Sequence, residues 1–234
     1  MKLIGIIGGM SWESSLEYYR IMNETVKATL GGWHSARVLM YSIDFHTIEA
    51  HQRSGDWKAA ADMLSEAAVS LEKGGADMIV IATNTMHKIA PEIKSSVNIP
   101  LVHIADGVAE AITGQGLKTI GLLGTRFTME EDFLKGYLED EYALEVIIPG
   151  ADDMTLVHDV IYNELCLGTI NPDSKRSYID IIQKMAQRGA QGVILGCTEI
   201  PFLVQQADVA LPLFDTTTIH AKKAVELAIE IGRD

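Results

Sequence analysis

A cysteine follows a strongly apolar run in the C-terminal part of the chain. The segment "GVILGCTEIP" at residues 192–201 carries Cys197, then two polar residues, an isoleucine and a proline. Proline is favoured in the first turn of a helix, so the thiol is predicted to lie near a helix N-terminus. That position lowers a thiol pKa and favours thiolate at neutral pH. An inert, buried cysteine is the alternative that the residue type allows.

An internal repeat pairs this strand end with a second one. The segment "GGADMIVIATNT" at 74–85 aligns with "RGAQGVILGCTE" at 188–199, and the alignment sets Thr83 opposite Cys197. Two further matches follow the same order, "KLIGIIGG" (2–9) with "KTIGLLGT" (118–125) and "NIPLVHI" (98–104) with "ALPLFDT" (210–216). Open α/β sheets bind ligands at the carboxyl ends of their strands, so two facing lobes would each present one side chain to a shared cleft. This is the geometry of a two-base reaction at one carbon.

The turn that contains Thr83 offers other polar side chains. Asn84 and Thr85 follow it directly, and His87 lies four residues on. Exposed helix N–H groups with small hydroxyl and amide side chains form an anion cradle, which predicts a carboxylate site here. Helix capping is a compatible alternative for Thr and Asn. His87 is interpreted as a helix or supporting residue rather than as a base.

Several other segments are predicted to contact the same small acid. They are Thr198 and Glu199 after Cys197, the Met10 turn after the first strand, Thr125 and Thr128 in the repeat of that turn, and Gln52 with Arg53. The Gln52 stretch, 44–57, is equally compatible with a solvated loop. The glycines at 5–9 are spaced GxxGG rather than GxGxxG, so a nicotinamide cofactor is not predicted.

Strands and helices must alternate along the chain to position these residues. Short runs rich in Ile, Val and Leu are separated by segments with apolar residues at helical spacing. Continuous apolar runs are typical of parallel strands covered on both faces, so the pattern predicts an α/β fold. The runs lie at 2–9, 36–44, 77–83, 100–104, 118–125, 144–150, 192–198 and 211–215.

The repeat predicts two pseudosymmetric, Rossmann-like lobes with parallel sheets and an active-site cleft between them. The first lobe is predicted to comprise residues 1–99 plus about 211–234, and the second about 100–210. These bounds follow from the expectation that the last strand and helix of each half cross over to complete the opposite lobe.

The composition limits the classes of partner. A net charge of -13 repels nucleic acid and anionic membrane surfaces, while a local cleft can still bind a small acid. No apolar run approaches the length of a membrane span and no signal segment is recognisable, so a cytoplasmic protein is expected. The two cysteines, Cys166 and Cys197, form no metal-ligand or disulfide pattern. Cys166 lies in a helical pattern and is interpreted as structural.

The motifs together resemble a known family. "GxxGGM" in the first strand, "TNTxH" at 83–87, "GT" at 124–125 and "GCTEIP" at 196–201 are similar to the aspartate/glutamate racemases, over essentially the full chain. The start lacks the Asp-Ser-Gly motif of cell-wall glutamate racemases and resembles the aspartate-racemase branch. The resemblance implies no cofactor, a homodimer, and a pair of cysteines at matching strand ends that exchange the α-proton of the substrate.

The chain departs from this pattern at one of the two catalytic positions. The resemblance assigns the second-lobe cysteine, Cys197, to proton removal from the L-enantiomer, but Thr83 stands where the first cysteine belongs. A hydroxyl is a much weaker acid than a thiol, and it returns a proton more easily than it removes one. Preferred turnover of L-aspartate or L-glutamate is therefore expected, although the equilibrium between enantiomers stays at unity.

Two alternatives remain open at this point. A single catalytic cysteine is also compatible with the related decarboxylases and maleate isomerases of the same fold. A cytoplasmic sensor that clamps a small dicarboxylic acid without chemistry is the alternative from a different class.

Overall fold

The computed structural model describes residues 1–230, in which strands and helices alternate. Each of the eight apolar runs contains one strand, so the predicted α/β class is confirmed. The strands are β1 (Ile4–Gly8), β2 (Val38–Ser42), β3 (Met78–Ile81), β4 (Leu101–Val102), β5 (Thr119–Gly124), β6 (Glu145–Ile147), β7 (Val193–Gly196) and β8 (Leu213–Asp215).

The strands of the described chain form two sheets of four parallel strands each. The first sheet has the order β2-β1-β3-β4 and the second has the order β6-β5-β7-β8. The two orders coincide when β1 is matched with β5 and β3 with β7. This shared topology confirms the pseudosymmetry that the sequence repeat predicts.

The connections between strands are mostly helical. The α-helices are α1 (Trp12–Leu30), α2 (Phe45–Ser54), α3 (Trp57–Lys73), α4 (Ala90–Ser95), α5 (Ile104–Thr113), α6 (Arg126–Glu130), α7 (Lys135–Tyr142), α8 (Ala151–Asn163), α9 (Pro172–Gln187), α10 (Ile200–Leu203) and α11 (Thr216–Glu230). Short 3-10 helices cover Thr85–Ile89, Leu165–Leu167 and Gln206–Asp208. No helix in residues 1–230 combines the length and apolar character that a membrane crossing needs.

Alternating side chains of the first sheet face two different helix layers. Ile4 and Ile6 belong to a buried cluster with apolar residues of α1 and α11, whereas Ile7 belongs to a cluster with α3. Successive residues of a strand point to opposite faces, so a strand covered on both faces must be apolar throughout. Burial of one such side chain contributes about 1.5–3 kcal/mol. The continuous apolar runs in the sequence have this physical cause.

The chain divides into two compact units at positions that differ from the predicted bounds. One unit comprises residues 1–104 together with the chain from His220 onward, and the other comprises residues 105–219. β4 and β8 stay in the sheets of their own halves because they pair with β3 and β7. The crossing occurs in the helices that follow these strands, and α11 contributes Ala221 and Ala224 to the core of the first unit. The last four positions of the predicted segment 211–234 lie outside the described residues.

Candidate active site

Cys197 lies at the carboxyl end of the second sheet, directly after β7. Gly124 pairs with Gly196 in the register of β5 and β7, so Thr125 and Cys197 leave neighbouring strands side by side. The hydroxyl of Thr125 caps α6 by accepting from the backbone N–H of Thr128. Thr128 is fully buried, with its methyl group against the Cα of Gly196. Thr128 therefore packs beneath the strand ends and is not placed to contact a substrate directly, in contrast to its predicted role.

The thiol of Cys197 donates a hydrogen bond to the carboxylate of Glu199. The distance from Sγ to Oε2 is 2.9 Å, and the hydroxyl of Thr198 donates to the same oxygen over 2.6 Å. All three side chains are half-buried. Glu199 is therefore placed to accept the proton of the thiol. The sequence pattern instead predicts that Glu199 contacts the substrate.

The electrostatic environment of Cys197 differs from the sequence-based expectation. Burial raises the pKa of the thiol well above its usual value, and the negative charge of Glu199 raises it further. The predicted lowering of this pKa by a helix N-terminus is wrong. α10 has only four residues and begins three positions after Cys197, while the Glu199 carboxylate contacts the sulfur directly.

Glu199→Gln is expected to lower the pH at which Cys197 reacts with iodoacetamide. A group whose pKa is raised by a carboxylate forms its anion at lower pH when that charge is removed. Peptide mapping by mass spectrometry would follow alkylation of Cys197 separately from Cys166 across a pH series. Glu130→Gln removes an exposed carboxylate of the same unit and serves as the matched control. An unchanged or higher midpoint for Glu199→Gln would show that the carboxylate does not control the thiol.

Thr83 lies at the carboxyl end of the first sheet, two residues after β3. It is half-buried and lies within the bend that leads into the 3-10 helix Thr85–Ile89. Asn84 is buried and Thr85 is half-buried, so the three predicted polar residues of this turn are adjacent at the strand end. Thr83 and Cys197 consequently occupy the same place in their respective sheets.

His87 holds the Thr83 turn from within the first unit. Its Nδ1 lies 2.9 Å from the carbonyl oxygen of Thr83, and its Nε2 lies 3.2 Å from the backbone N of Ile104. Burial lowers the pKa of His87 well below its usual value, and the neighbouring His103 and His220 lower it further. The ring is neutral and both of its nitrogens make hydrogen bonds, which agrees with the interpretation of His87 as a supporting residue.

The Met10 turn follows β1 at the same edge of the first sheet. Its conformation depends on Gly9, which has φ of 87°, and a Cβ at that position would collide with the backbone carbonyl of Ile43. The N–H of Gly9 donates to the hydroxyl of Ser15 over 2.8 Å. The side chain of Met10 is buried in the core, so it is not placed to contact a ligand directly.

Gln52 and Arg53 lie in α2 rather than in a solvated loop. The amide nitrogen of Gln52 is 3.8 Å from the sulfur of Met86, which belongs to the 3-10 helix after Thr83. The guanidinium of Arg53 is 78% exposed and pairs with Glu49 on the same helix. Gln52 is thus adjacent to the candidate site, and Arg53 is directed to solvent.

The predicted residues fall into two groups, one for each sheet. The first group consists of Met10, Gln52, Thr83, Asn84 and Thr85, and the second consists of Thr125, Thr128, Cys197, Thr198 and Glu199. Sequence reasoning missed the thiol–carboxylate contact within the second group, for which the spacing Cys-x-Glu was an available signal. It also missed His220, whose ring nitrogens bond Tyr18 and the carbonyl of Val102.

Cys166 lies outside these two groups. Cys166, interpreted as structural, is exposed in the 3-10 helix Leu165–Leu167. Across residues 1–230, no group of three or more His, Cys, Asp or Glu side chains is arranged to hold a metal ion.

Sequence comparisons identify related proteins. The profile of the Asp/Glu/Hydantoin racemase family matches residues 7–224. A glutamate racemase from Actinobacillus pleuropneumoniae serotype 5b (strain L20) is 31% identical over 142 residues, which cover 60% of this chain and 52% of that protein. The chain thus spans about half the length of this curated relative. The broad specificity amino-acid racemase RacX from Bacillus subtilis (strain 168) is 22% identical over 229 residues, covering 95% of this chain and 96% of that protein.

Solved structures share the whole architecture. A protein from Yersinia pestis, provisionally assigned as an Asp/Glu racemase, is 52% identical with a TM-score of 0.95 over 98% of this chain and 100% of that chain. An aspartate racemase homologue from Pyrococcus horikoshii OT3 is 37% identical with a TM-score of 0.88 over the same shares. Because the family profile extends over most of its length, the chain belongs to the Asp/Glu/hydantoin racemase family.

Proposed function

We propose that the protein racemises aspartate or glutamate, with the L-enantiomer preferred, by two-base proton transfer that needs no cofactor. One observation carries the proposal. Thr83 and Cys197 follow matching strands, β3 and β7, of two sheets with the same strand order. A substrate held between two such strand ends would have one proton-transferring group on each face of its α-carbon.

Cys197 is the proposed base for the L-enantiomer. Its thiol passes its proton to Glu199, and the resulting thiolate removes the α-proton of the bound amino acid. The raised pKa of the thiol keeps the thiolate scarce at neutral pH. The positive α-ammonium group of a bound substrate would favour the thiolate, because an opposite charge nearby stabilises the charged form.

Thr83 is the proposed acid on the opposite face. Its hydroxyl gives a proton to the carbanion, and solvent then restores the hydroxyl. Removal of a proton from the D-enantiomer would require the alkoxide of Thr83, which is rare at neutral pH. The thiolate of Cys197 therefore forms far more readily than the alkoxide of Thr83, and this difference is the proposed origin of the faster turnover of the L-enantiomer.

The carboxylates of the substrate are assigned to the small polar groups at the two strand ends. Asn84 and Thr85 are proposed to bind one carboxylate, with the Met10 backbone and Gln52 beside them. Thr125 and Thr198 are proposed to bind the other. Hydroxyl, amide and backbone N–H donors suit a carboxylate, because a hydrogen bond to an ionised acceptor is stronger than one to a neutral acceptor.

Related proteins support this choice of substrate. The curated relatives include glutamate racemases, and the solved structure from Pyrococcus horikoshii OT3 is that of an aspartate racemase homologue. The homodimer implied by the family resemblance and the cytoplasmic location stay predictions. Trp12, Leu16 and Tyr19 are exposed along one side of α1, which is compatible with a dimer surface.

Proton exchange at the α-carbon tests the proposed function. The purified protein, treated with a chelator and a carbonyl-trapping reagent, is incubated with L-aspartate and L-glutamate in D2O. We expect deuterium at the α-carbon and accumulation of the D-enantiomer of at least one acid. Cys166→Ser should behave like the wild type. Loss of a carboxyl group would instead indicate a decarboxylase, and unaltered, tightly bound acid would indicate a binding protein.

A further inference from the structure

His87 makes two directional hydrogen bonds that determine where its protons are. A carbonyl oxygen only accepts and a backbone N–H only donates. Nδ1 must therefore carry a proton toward the carbonyl of Thr83, and Nε2 must accept from the N–H of Ile104. The side chain is 2% exposed, so both bonds lie away from solvent. His87 is consequently a neutral ring of one defined tautomer.

The same residue bonds two successive carbonyls of the turn. The ring donates to Thr83, and the backbone N–H of His87 donates to the carbonyl of Asn84 over 3.0 Å. These two bonds set the orientation of the peptide groups on the C-terminal side of Thr83. The direction of the Thr83 hydroxyl depends on that backbone.

A second histidine supports the segment on the other side of the ring. Nε2 of His220 donates to the carbonyl of Val102 over 2.8 Å, and Nδ1 accepts from the hydroxyl of Tyr18 over 2.9 Å. The ring centroids of His87 and His220 are 5.7 Å apart, in edge-on contact. The segment Val102–Ile104 is therefore hydrogen-bonded to His220 at Val102 and to His87 at Ile104.

We propose that His87 is a positioning residue that aims the Thr83 hydroxyl at the substrate through the bond from Nδ1–H to the Thr83 carbonyl. This inference rests on the proposed function. It assigns to His87 no proton transfer with the substrate. Effective proton transfer needs the reacting atoms about 3 to 3.5 Å apart, and a displacement of about 1 Å is enough for a 10²-fold loss.

Two conservative variants separate the two bonds of the ring. Asparagine places its amide N–H near the Nδ1 position, so His87→Asn keeps the donor for Thr83 and loses the acceptor for Ile104. Glutamine reaches the Nε2 position, so His87→Gln keeps the acceptor and loses the donor. Each variant gives up one buried hydrogen bond, and we expect similar falls in melting temperature.

The ratio of optical inversion to α-proton exchange on the L-substrate is the decisive readout. Inversion requires Thr83, whereas exchange on the Cys197 face does not. We expect His87→Gln to lower inversion by about 10- to 100-fold while exchange changes by less than about threefold. His87→Asn should keep the wild-type ratio within about threefold. In a Thr83→Ala background, His87→Gln should have no further effect on the ratio.

Asp77→Ala is the matched control for a loss of local stability. It removes the acceptor for the backbone N–H of Leu3 at the amino end of the first sheet, away from the Thr83 turn, so the melting temperature should fall while the ratio stays unchanged. Suppose that the wild type racemises and that Thr83→Ala exchanges the α-proton without inversion. Equal ratios of inversion to exchange for His87→Gln and His87→Asn would then overturn the role of His87 alone. A wild type that exchanges no α-proton would instead refute the proposed function, and the role of His87 with it.

Discussion

Cys197→Ser is expected to lower racemisation of both enantiomers by about 10²- to 10⁴-fold, the contribution typical of one positioned acid–base group. Serine retains the size of the side chain and its hydrogen bond to Glu199. The hydroxyl does not ionise near neutral pH, so the L-enantiomer loses its base. The D-enantiomer loses the thiol that would protonate its carbanion.

The measurement is the initial rate of chiral conversion, together with the melting temperature of each variant. Cys166→Ser, at the exposed cysteine, is the matched control and should keep wild-type rates. Folded Cys197→Ser protein with wild-type activity would remove Cys197 from the mechanism.

Thr83→Cys is expected to raise kcat for the D-enantiomer much more than kcat for the L-enantiomer. A thiol at position 83 ionises far more readily than a hydroxyl, so the step that threonine performs poorly would gain up to about 10²-fold. The values of kcat/KM for the two enantiomers must remain equal, because the equilibrium constant of a racemisation is one. The change therefore appears in kcat and KM separately.

Full saturation curves for both enantiomers of aspartate and glutamate test this expectation. Thr83→Ser keeps a hydroxyl and serves as the matched control, with the D-enantiomer still slow. A Thr83→Cys variant that raises kcat for both enantiomers equally, or for neither, would contradict the assignment of Thr83 to the D-face.

The sequence was sufficient to predict the strands and their pseudosymmetry for a physical reason. Strands such as β1 and β3 are buried on both faces, so they must read as continuous apolar runs. The bounds of the two units were harder to predict from the sequence. The apolar residues of α11 indicate that one side is covered, but the pattern does not state which sheet covers it. β8 stays with β7 by hydrogen bonding, which local sequence does not encode.

The positions of the site residues could be predicted from the sequence, but their interactions could not. Thr83 and Cys197 follow from strand ends and the repeat, which are visible in the sequence. Burial and one nearby carboxylate raise the pKa of Cys197, whereas the helix N-terminus that the sequence predicts would have lowered it. The bond between His87 and Ile104 joins residues that are brought together only by the pairing of β3 with β4.

Thr83→Ala in D2O is the most direct test of two-base chemistry at one carbon. Deuterium incorporation at the α-carbon and optical inversion are measured separately in one reaction that starts from the L-substrate. Cys197 can still remove and return a proton on its own face, so we expect continued exchange with inversion nearly abolished. A Thr83→Ala variant in which exchange and inversion fall together, or in which inversion continues at the wild-type rate, would rule out Thr83 and Cys197 as the two opposing groups.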